Sequence, residues 1–255
     1  MKLLILILII LIINIESFNH RNIGTSNHRN IGTSNRRDLF RLFADDNNSN
    51  NQNIKLTKEE IIKVNSEIDT IKELLIKASN KEVDDTDSIV DSLLKLEKLM
   101  RKKNTYDDNK TSQDTFNNLN GAWRLVFTTG TVNTQKKLGG RINYFPIKAV
   151  QTFDTATYKI SNGIYLGDFA ILQFFGDFTW NLKARKLEFD FDEFSLFGLI
   201  IGLPKGGAQK IGSSTGLGSP NPKKPFFNWI SADESTGGVA TARGGGGGLA
   251  LWRKL

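Results

Sequence analysis

The chain has 255 residues, no cysteine and two histidines, with 34 Lys and Arg against 27 Asp and Glu. Disulfides, thiolate nucleophiles, iron–sulfur clusters and cysteine-bound zinc are excluded; both histidines, His20 and His28, fall in the first 44 residues, so the remainder has no imidazole for general base work or metal ligation. The net charge of +7 is partly a property of the N-terminus: from Asp45 onward 28 basic residues face 25 acidic ones, with no Lys/Arg stripe to argue for nucleic-acid binding.

Lys2 precedes an unbroken run of eleven Leu and Ile residues, 3–13, followed by the more polar Asn14-Ile15-Glu16-Ser17. Eleven residues are too few to span a bilayer, which takes roughly 20. A basic start, a short apolar core and a small exit residue make 1–17 a signal peptide in preference to a membrane anchor, with cleavage expected between Ser17 and Phe18. Residues 18–44 then hold Arg21, Arg29, Arg36, Arg37 and Arg41, abundant Ser, Thr and Asn, and the single acid Asp38, which is the chemistry of a transit peptide. A signal peptide joined to a transit peptide at Phe18 resembles the two-part targeting sequences of algae whose plastid arose by secondary endosymbiosis, and that resemblance implies a complex plastid reached through the ER. A secreted protein with a flexible basic arm is the alternative. The octapeptide Asn-His-Arg-Asn-Ile-Gly-Thr-Ser occurs twice, at 19–26 and 27–34, wholly inside this leader, so it reads as a duplication in a disordered segment and not as a solenoid repeat. The Asn/Asp-rich stretch 45–56 is too polar to bury a core and reads as a disordered linker.

Thr57-Lys58-Glu59-Glu60 has the spacing of a capping box, and Ile61, Val64, Ile68, Ile71 and Leu75 recur at steps of three and four, which predicts an amphipathic helix. After a polar break over 79–85, Ile89, Leu93, Leu96 and Met100 repeat the spacing, with Lys95, Lys98, Arg101 and Lys102 towards the C-terminal end, where cations suit the helix dipole. Residues 57–104 are thus expected to form a helical hairpin whose stripes cover an open end or a side of the C-terminal part of the chain. A coiled coil or a membrane-surface helix pair is the alternative.

From Phe116 the character switches to strands, and 21 of the 25 aromatic residues lie over 116–255, enough to fill the interior of a sheet domain. In Gly121-Ala122-Trp123-Arg124-Leu125-Val126-Phe127, the odd positions from Trp123 share one face of an extended chain. Lys148 to Asp154 and Thr157 to Ser161 come next, with a hairpin turn expected at Asn162-Gly163. Leu172, Phe174, Phe178 and Trp180 form one apolar face, and Gly176 between them suggests a bulge. Leu187, Phe189 and Phe191 continue the pattern until the phase shifts at Asp192-Glu193, where a kink is expected before Phe194 and Leu196. The stretch 202–225 reads as a long loop. Its segment 206–214 lacks the Gly-Lys-Ser/Thr order of a phosphate loop and precedes no helix pattern. Strands at 226–232, 239–243 and 249–253 end the chain, the last two joined through Gly244 to Gly248. The acids Asp190, Asp192 and Glu193 are the one cluster that carboxylate catalysis could use, but they alternate with apolar residues in strand rhythm and read as a solvated face.

The stretch Leu119-Asn120-Gly121-Ala122-Trp123-Arg124-Leu125-Val126-Phe127-Thr128-Thr129, preceded by the helical segment and closed by Ala242-Arg243-Gly244 and Leu249-Ala250-Leu251-Trp252-Arg253, resembles the plastid lipid-associated protein or fibrillin family, the plastoglobulins, over essentially 56–255. The resemblance implies an α+β fold: a lipocalin-like antiparallel β-barrel of about eight strands over 116–255, preceded by the helical hairpin. It also implies binding or organising of apolar lipids such as isoprenoid quinones or carotenoids at plastoglobules or thylakoids, with no cofactor, no metal and no catalysis. In such barrels the Trp of Gly-x-Trp closes one end and a late Arg packs over it. Gly121 and Trp123 match the first part, and Arg243 or Arg253 the second. The residues expected to face inward are Trp123, Leu125, Phe127, Phe153, Phe174, Phe178, Phe189, Phe191, Leu249 and Leu251, as ligand wall or as filled core. Two further readings remain: a scaffold that binds a membrane or partner through its helical hairpin, and a lipid-modifying enzyme working through Asp190 or Asp192.

Overall fold

The computed structural model describes residues 56–203, 224–235 and 237–255; the leader segments read in 1–44, the linker as far as residue 55 and the stretch 206–214 lie outside the described residues. Within them the chain is α+β. Helices α1 (Lys58–Ser79), α2 (Thr86–Tyr106) and α3 (Lys110–Asn118) precede strand β1 (Gly121–Thr128), helix α4 (Val132–Leu138) and strands β2 (Asn143–Tyr144), β3 (Lys148–Asp154), β4 (Lys159–Leu166), β5 (Phe169–Asn181), β6 (Lys186–Leu196), β7 (Leu199–Gly202), β8 (Phe226–Ala232), β9 (Val239–Gly244) and β10 (Leu249–Lys254).

The helical hairpin forms where the periodicity places it. Thr57 Oγ1 accepts from the Glu60 amide at 3.2 Å while Glu60 Oε2 accepts from the Thr57 amide at 2.9 Å, completing the capping box. Asp85 caps α2 by accepting from the Asp87 amide at 3.0 Å. Val64, Ile68, Ile71 and Leu75 of α1 and Ile89, Leu93, Leu96 and Met100 of α2 are buried together with Val126, Phe127, Ile230, Val239, Leu249 and Leu251. The hairpin therefore covers a side of the sheet, over β1, β8, β9 and β10.

Two helices were not foreseen. α3 runs past Phe116, where strands were expected to begin. It is short and has few apolar residues, so no long stripe announces it; it is held by Phe116 and Leu119, which enter the core beside Trp123. The Phe116 ring lies 5.4 to 6.4 Å from those of Tyr158, Phe178 and Trp180, so α3 plugs one end of the sheet. α4 sits in the loop after β1, started by Thr131 accepting from the Thr134 amide at 3.1 Å.

The sheet is antiparallel and its pairing runs in a ring: β1 to β3, β4, β5, β6, β8, β9 and β10, with β10 pairing back onto β1. The seam between β6 and β8 is the shortest, with three residue pairs, reinforced by Phe189 N–H to Pro225 O at 3.1 Å and Trp229 N–H to Arg185 O at 2.9 Å. Beyond it β6 leaves β8 and pairs with β7.

Four bulges interrupt the ladder, one of them in β5, where Ile164 pairs with Leu172 and Tyr165 with Ala170, leaving Ile171 extra; the other three bear on which of the expected side chains face inward. The kinks expected at Gly176 and at Asp192-Glu193 are one feature: Phe175 pairs with Glu193 and Gly176 with Phe191, leaving Asp192 extra. Gly176 is required there because a Cβ would lie 1.8 Å from Asp190 O. A second bulge puts Val126 and Phe127 together opposite Leu251, and a third interrupts β8 between Trp229 and Ser231. The expected turn at Asn162-Gly163 does not exist. Both residues lie mid-strand in β4, opposite Gln151 and Val150, and neither has the positive φ that a type I′ turn requires. The chain turns earlier, where Asp154 Oδ1 accepts from the amides of Ala156 (2.9 Å) and Thr157 (3.0 Å), and again at Gly167, whose φ is +63°.

Candidate functional site

One end of the ring is closed around Trp123. Its side chain is fully buried, and its indole Nε1 donates to Leu119 O at 2.7 Å, tying β1 to the end of α3. Gly121 enters the strand with φ +101°, and a Cβ there would lie 2.8 Å from Lys254 Nζ. That ammonium sits 4.5 Å above the Trp123 ring and donates to Asn120 O, a cation–π contact at the mouth of a buried aromatic. Burial pushes the Lys254 ammonium below its ordinary value. The cation expected over Trp123 was Arg243 or Arg253, and it is neither. Arg253 alternates outward on β10 and donates to Asn80 Oδ1, and Arg243 points outward from β9 to Glu97.

Above this floor the ring encloses an aromatic layer. Phe153 meets Phe178 and Trp229 edge to face at 6.0 and 5.4 Å, and Trp229 and Trp252 lie 5.2 Å apart. On the far side of Trp252 a cavity opens, with about 90 Å³ in which the centre of a water-sized sphere can sit, several times the roughly 10–15 Å³ that one water needs by the same measure. Its wall is built by Leu125 and Thr128 of β1, Ala149 and Gln151 of β3, Asn162 and Ile164 of β4, Leu172 and Phe174 of β5, Phe227 of β8, and Ala250 and Trp252 of β10, with Phe145, Gly130, Thr131, Gly244 and Gly248 around its outer end. None of these residues titrates. The small residues Ala149, Ala250 and Gly244 leave the space that facing aromatics would otherwise fill.

Of the ten residues expected to face inward, Leu125 and Phe174 line this cavity. Trp123, Phe153, Phe178, Phe189 and Phe191 face inward as packed core. Phe127, Leu249 and Leu251 do not face inward: they pack on the outer face against α1 and α2. The bulge at Val126 inverts the alternation after Leu125, so Thr128 takes the inward place expected of Phe127. On β10 the register with β1 sends Ala250 and Trp252 inward instead of their neighbours. Gln151 and Asn162, which sequence reasoning passed over, are legible by stepping back two residues from Phe153 and two forward from Ile160; they pair in register on the wall.

A second, polar cleft lies between α2 and the β5–β6 turn, about 350 Å³ by the same measure, lined by Glu97, Arg101, Asn104, Lys183, Arg185 and Trp229. Arg185 is buried and donates from Nη1 to Ile230 O at 3.0 Å; burial, and then the charge of Arg101, press its guanidinium down to about 10. Burial pushes the Glu97 carboxyl up, but the hydrogen bonds and charge of Arg243, and then of Arg101, outweigh it and hold Glu97 below the ordinary carboxylate value. Glu97 thereby ties α2 to β9. Asp190 alternates away from the cavity on β6 and is half-buried, and burial raises its carboxyl above the usual value; Asp192 is the exposed extra residue of the bulge. Neither reaches the apolar cavity. Among the described residues no group of three His, Cys, Asp or Glu is placed to hold a metal ion, and no helix is long and apolar enough to cross a membrane.

Comparison of the chain with protein-family models, with curated proteins and with solved structures found no match.

Proposed function

We propose that this chain holds an apolar lipid, of the isoprenoid quinone or carotenoid kind, in a lipocalin-like β-barrel, and that it is a non-enzymatic plastid protein of the fibrillin type. The observation that carries this reading is the cavity between β1, β3, β4, β5, β8 and β10, whose wall is mainly apolar and aromatic, with Thr128, Thr131, Gln151 and Asn162 as its polar side chains and no titratable group among the described residues. Such a wall favours a hydrocarbon over a charged substrate, with affinity drawn from apolar area removed from water at about 25 cal/mol per Å². The volume suits one end or segment of a prenyl chain. The floor at Gly121 and Trp123 agrees with the Gly-x-Trp closure of lipocalin-type barrels, with Lys254 in the place of their arginine.

A second observation favours a seat at a plastoglobule or thylakoid surface. The β6–β7 hairpin and the β4–β5 turn expose Phe169, Phe197, Leu199 and Ile200, each more than half accessible, with the Phe169 and Phe197 rings stacked at 6.5 Å. Monomeric soluble proteins rarely leave so many large apolar groups together without a use. The base of this fin is continuous with the cavity wall, since Phe194 packs with Phe174 and Leu172. It takes the membrane-facing part that periodicity alone offers to the helical hairpin, whose apolar stripes are spent on the sheet.

The test is extraction of lipid from the full chain purified from plastids, compared with Ala250→Phe, which places a ring in the cavity. The wild type is expected to carry stoichiometric prenyl or carotenoid lipid and Ala250→Phe to have lost most of it while keeping its melting temperature. Equal lipid in both, or none in the wild type, rejects the cavity as a lipid site. A fluorescent fusion found outside plastids rejects the location.

A further inference from the structure

The polar cleft between α2 and the β5–β6 turn holds more positive charge than the fold uses. Arg185 is 6% exposed, and its side chain makes one hydrogen bond, from Nη1 to Ile230 O. Its Nε and Nη2 have no partner among the described residues and are not sealed from solvent as Arg124 Nε is, so they face the cleft that Arg185 lines. The carboxylate of the cleft, Glu97, is taken up by Arg243 at 3.1 Å and Arg101 at 2.9 Å, and no acid among the described residues forms an ion pair with Arg185. Asp107, the other acid whose charge reaches Arg185, accepts instead from the Thr111 amide at 3.0 Å. With Lys183 exposed at the rim, four cations, Arg101, Lys183, Arg185 and Arg243, stand around the cleft against these two acids. The excess bears on Arg185 itself, whose guanidinium is pressed down to about 10 by burial and by the charge of Arg101. A buried cation without a counter-ion is costly, and the backbone that delivers it is strained as well: Arg185 takes φ +49°, the left-handed conformation that glycine adopts at least cost. A glycine here would avoid both costs at the loss of one hydrogen bond.

We propose that this cleft binds a phosphate monoester, with Arg185 as its inner anchor and Arg101 and Lys183 holding the anion from the rim. A dianion balances the excess of two charges, where a carboxylate or a phosphodiester would balance half of it. The Nε–Nη2 edge of a guanidinium donates two parallel hydrogen bonds to the oxygens of one phosphate, and that is the edge of Arg185 which the fold leaves unused. The cleft has about 350 Å³ in which a water-sized sphere can centre, against roughly 10–15 Å³ for one water, so it has room for the phosphate and for part of the group that it esterifies. It shares no lining residue with the apolar cavity, and the inference stands apart from the lipid-holding reading. A phosphate monoester is the head of phosphatidic acid and equally the end of a soluble phosphorylated compound; the experiment separates the two sources.

Inorganic phosphate and dimethyl phosphate are titrated into the full chain by calorimetry at fixed ionic strength and about pH 8, above the second ionisation of phosphate. The wild type is expected to bind phosphate about tenfold or more tightly than the monoanionic diester, as an added charge-assisted hydrogen bond allows. Arg185→Gln, which keeps a donor for Ile230 O, is expected to weaken phosphate binding by about tenfold or more on the same grounds. Lys183→Glu changes an exposed side chain; it is expected to keep the wild-type melting temperature in the absence of phosphate and to lose phosphate binding, so the test holds even if Arg185→Gln does not fold. No binding of phosphate by the wild type overturns the inference. Equal binding of the two probes overturns it as well, since the cleft then counts charge without requiring a dianion. Phosphate affinity unchanged in Lys183→Glu, or in a folded Arg185→Gln, places the anion elsewhere and also rejects it. Sedimentation with phosphatidylcholine vesicles, with and without phosphatidic acid, then names the source. A gain on phosphatidic acid that Lys183→Glu abolishes upholds the site with a lipid head as its ligand; phosphate binding in the calorimeter without such a gain upholds it with a soluble phosphate ester.

Discussion

Trp123 joins three parts of the molecule through one side chain: its Nε1 holds the end of α3 through Leu119 O, its ring underlies Lys254, and its faces enter the interior core. Trp123→Ala is expected to cost about 3–5 kcal/mol, as the loss of a large buried aromatic does, read as a lower denaturant midpoint in equilibrium unfolding; an unchanged midpoint would remove this residue from the floor of the ring. The Gly-x-Trp spacing made this position legible, because a glycine at positive φ followed by a buried tryptophan depends on neighbours in the chain. The cation above the ring was not legible. Arg253 and Lys254 are adjacent, and which of them faces Trp123 depends on the phase of β10 against β1, a relation between residues some 130 positions apart.

At the scale of elements, bulges explain most of the difference between pattern and structure. Alternation was followed correctly through Leu187, Phe189 and Phe191, and the phase shift at Asp192 marked the kink and led to Phe194, but Leu196 beyond it is exposed while Ser195 is buried. At Val126 the apolar phase does not shift, since Val126 and Phe127 are apolar on a side that the helices cover, and so the bulge left no trace in hydropathy. The apolar fin belongs to this scale too. Its strand β7 pairs only with β6 among the described residues, and Leu199 and Ile200 contribute no core. The double variant Leu199→Glu with Ile200→Glu is expected to leave the melting temperature unchanged and to lower co-sedimentation with phosphatidylcholine or galactolipid vesicles about tenfold or more, since burying one such side chain contributes about 1.5–3 kcal/mol. Undiminished sedimentation rejects the fin as a lipid contact. Loss of a wild-type dimer in the variant would instead identify β7 as an edge that pairs with a second copy.

Across the whole molecule, α2 is clamped to β9 through Glu97, which accepts from Arg243 Nε at 3.1 Å on each carboxylate oxygen and from Arg101 Nη2 at 2.9 Å. Its carboxyl is held below the ordinary value in the folded chain, so the stabilisation is complete above the unfolded glutamate range and is lost as pH falls through the folded value. Urea unfolding between about pH 7 and pH 3 is expected to show stability falling with acid, and Glu97→Gln is expected to be less stable by about 3 kcal/mol at neutral pH, with a shallower fall; a parallel pH profile in the two proteins would exclude Glu97 as a source of the acid sensitivity. By itself the sequence determined the two long helices, the aromatic strand-rich C-terminal half, the Gly121-Trp123 end, the lack of thiols and the lack of imidazoles from Asp45 onward, since each stems from local spacing or from composition. Only the tertiary structure decided that the hairpin covers a side of the sheet, that α3 plugs one end, that Phe127, Leu249 and Leu251 face the helices, and that Gln151 and Asn162 pair on the wall of the cavity. The reason is physical: each bulge adds one residue to one strand and reverses every inward assignment beyond it, and where it falls is set by pairing between strands distant in the chain.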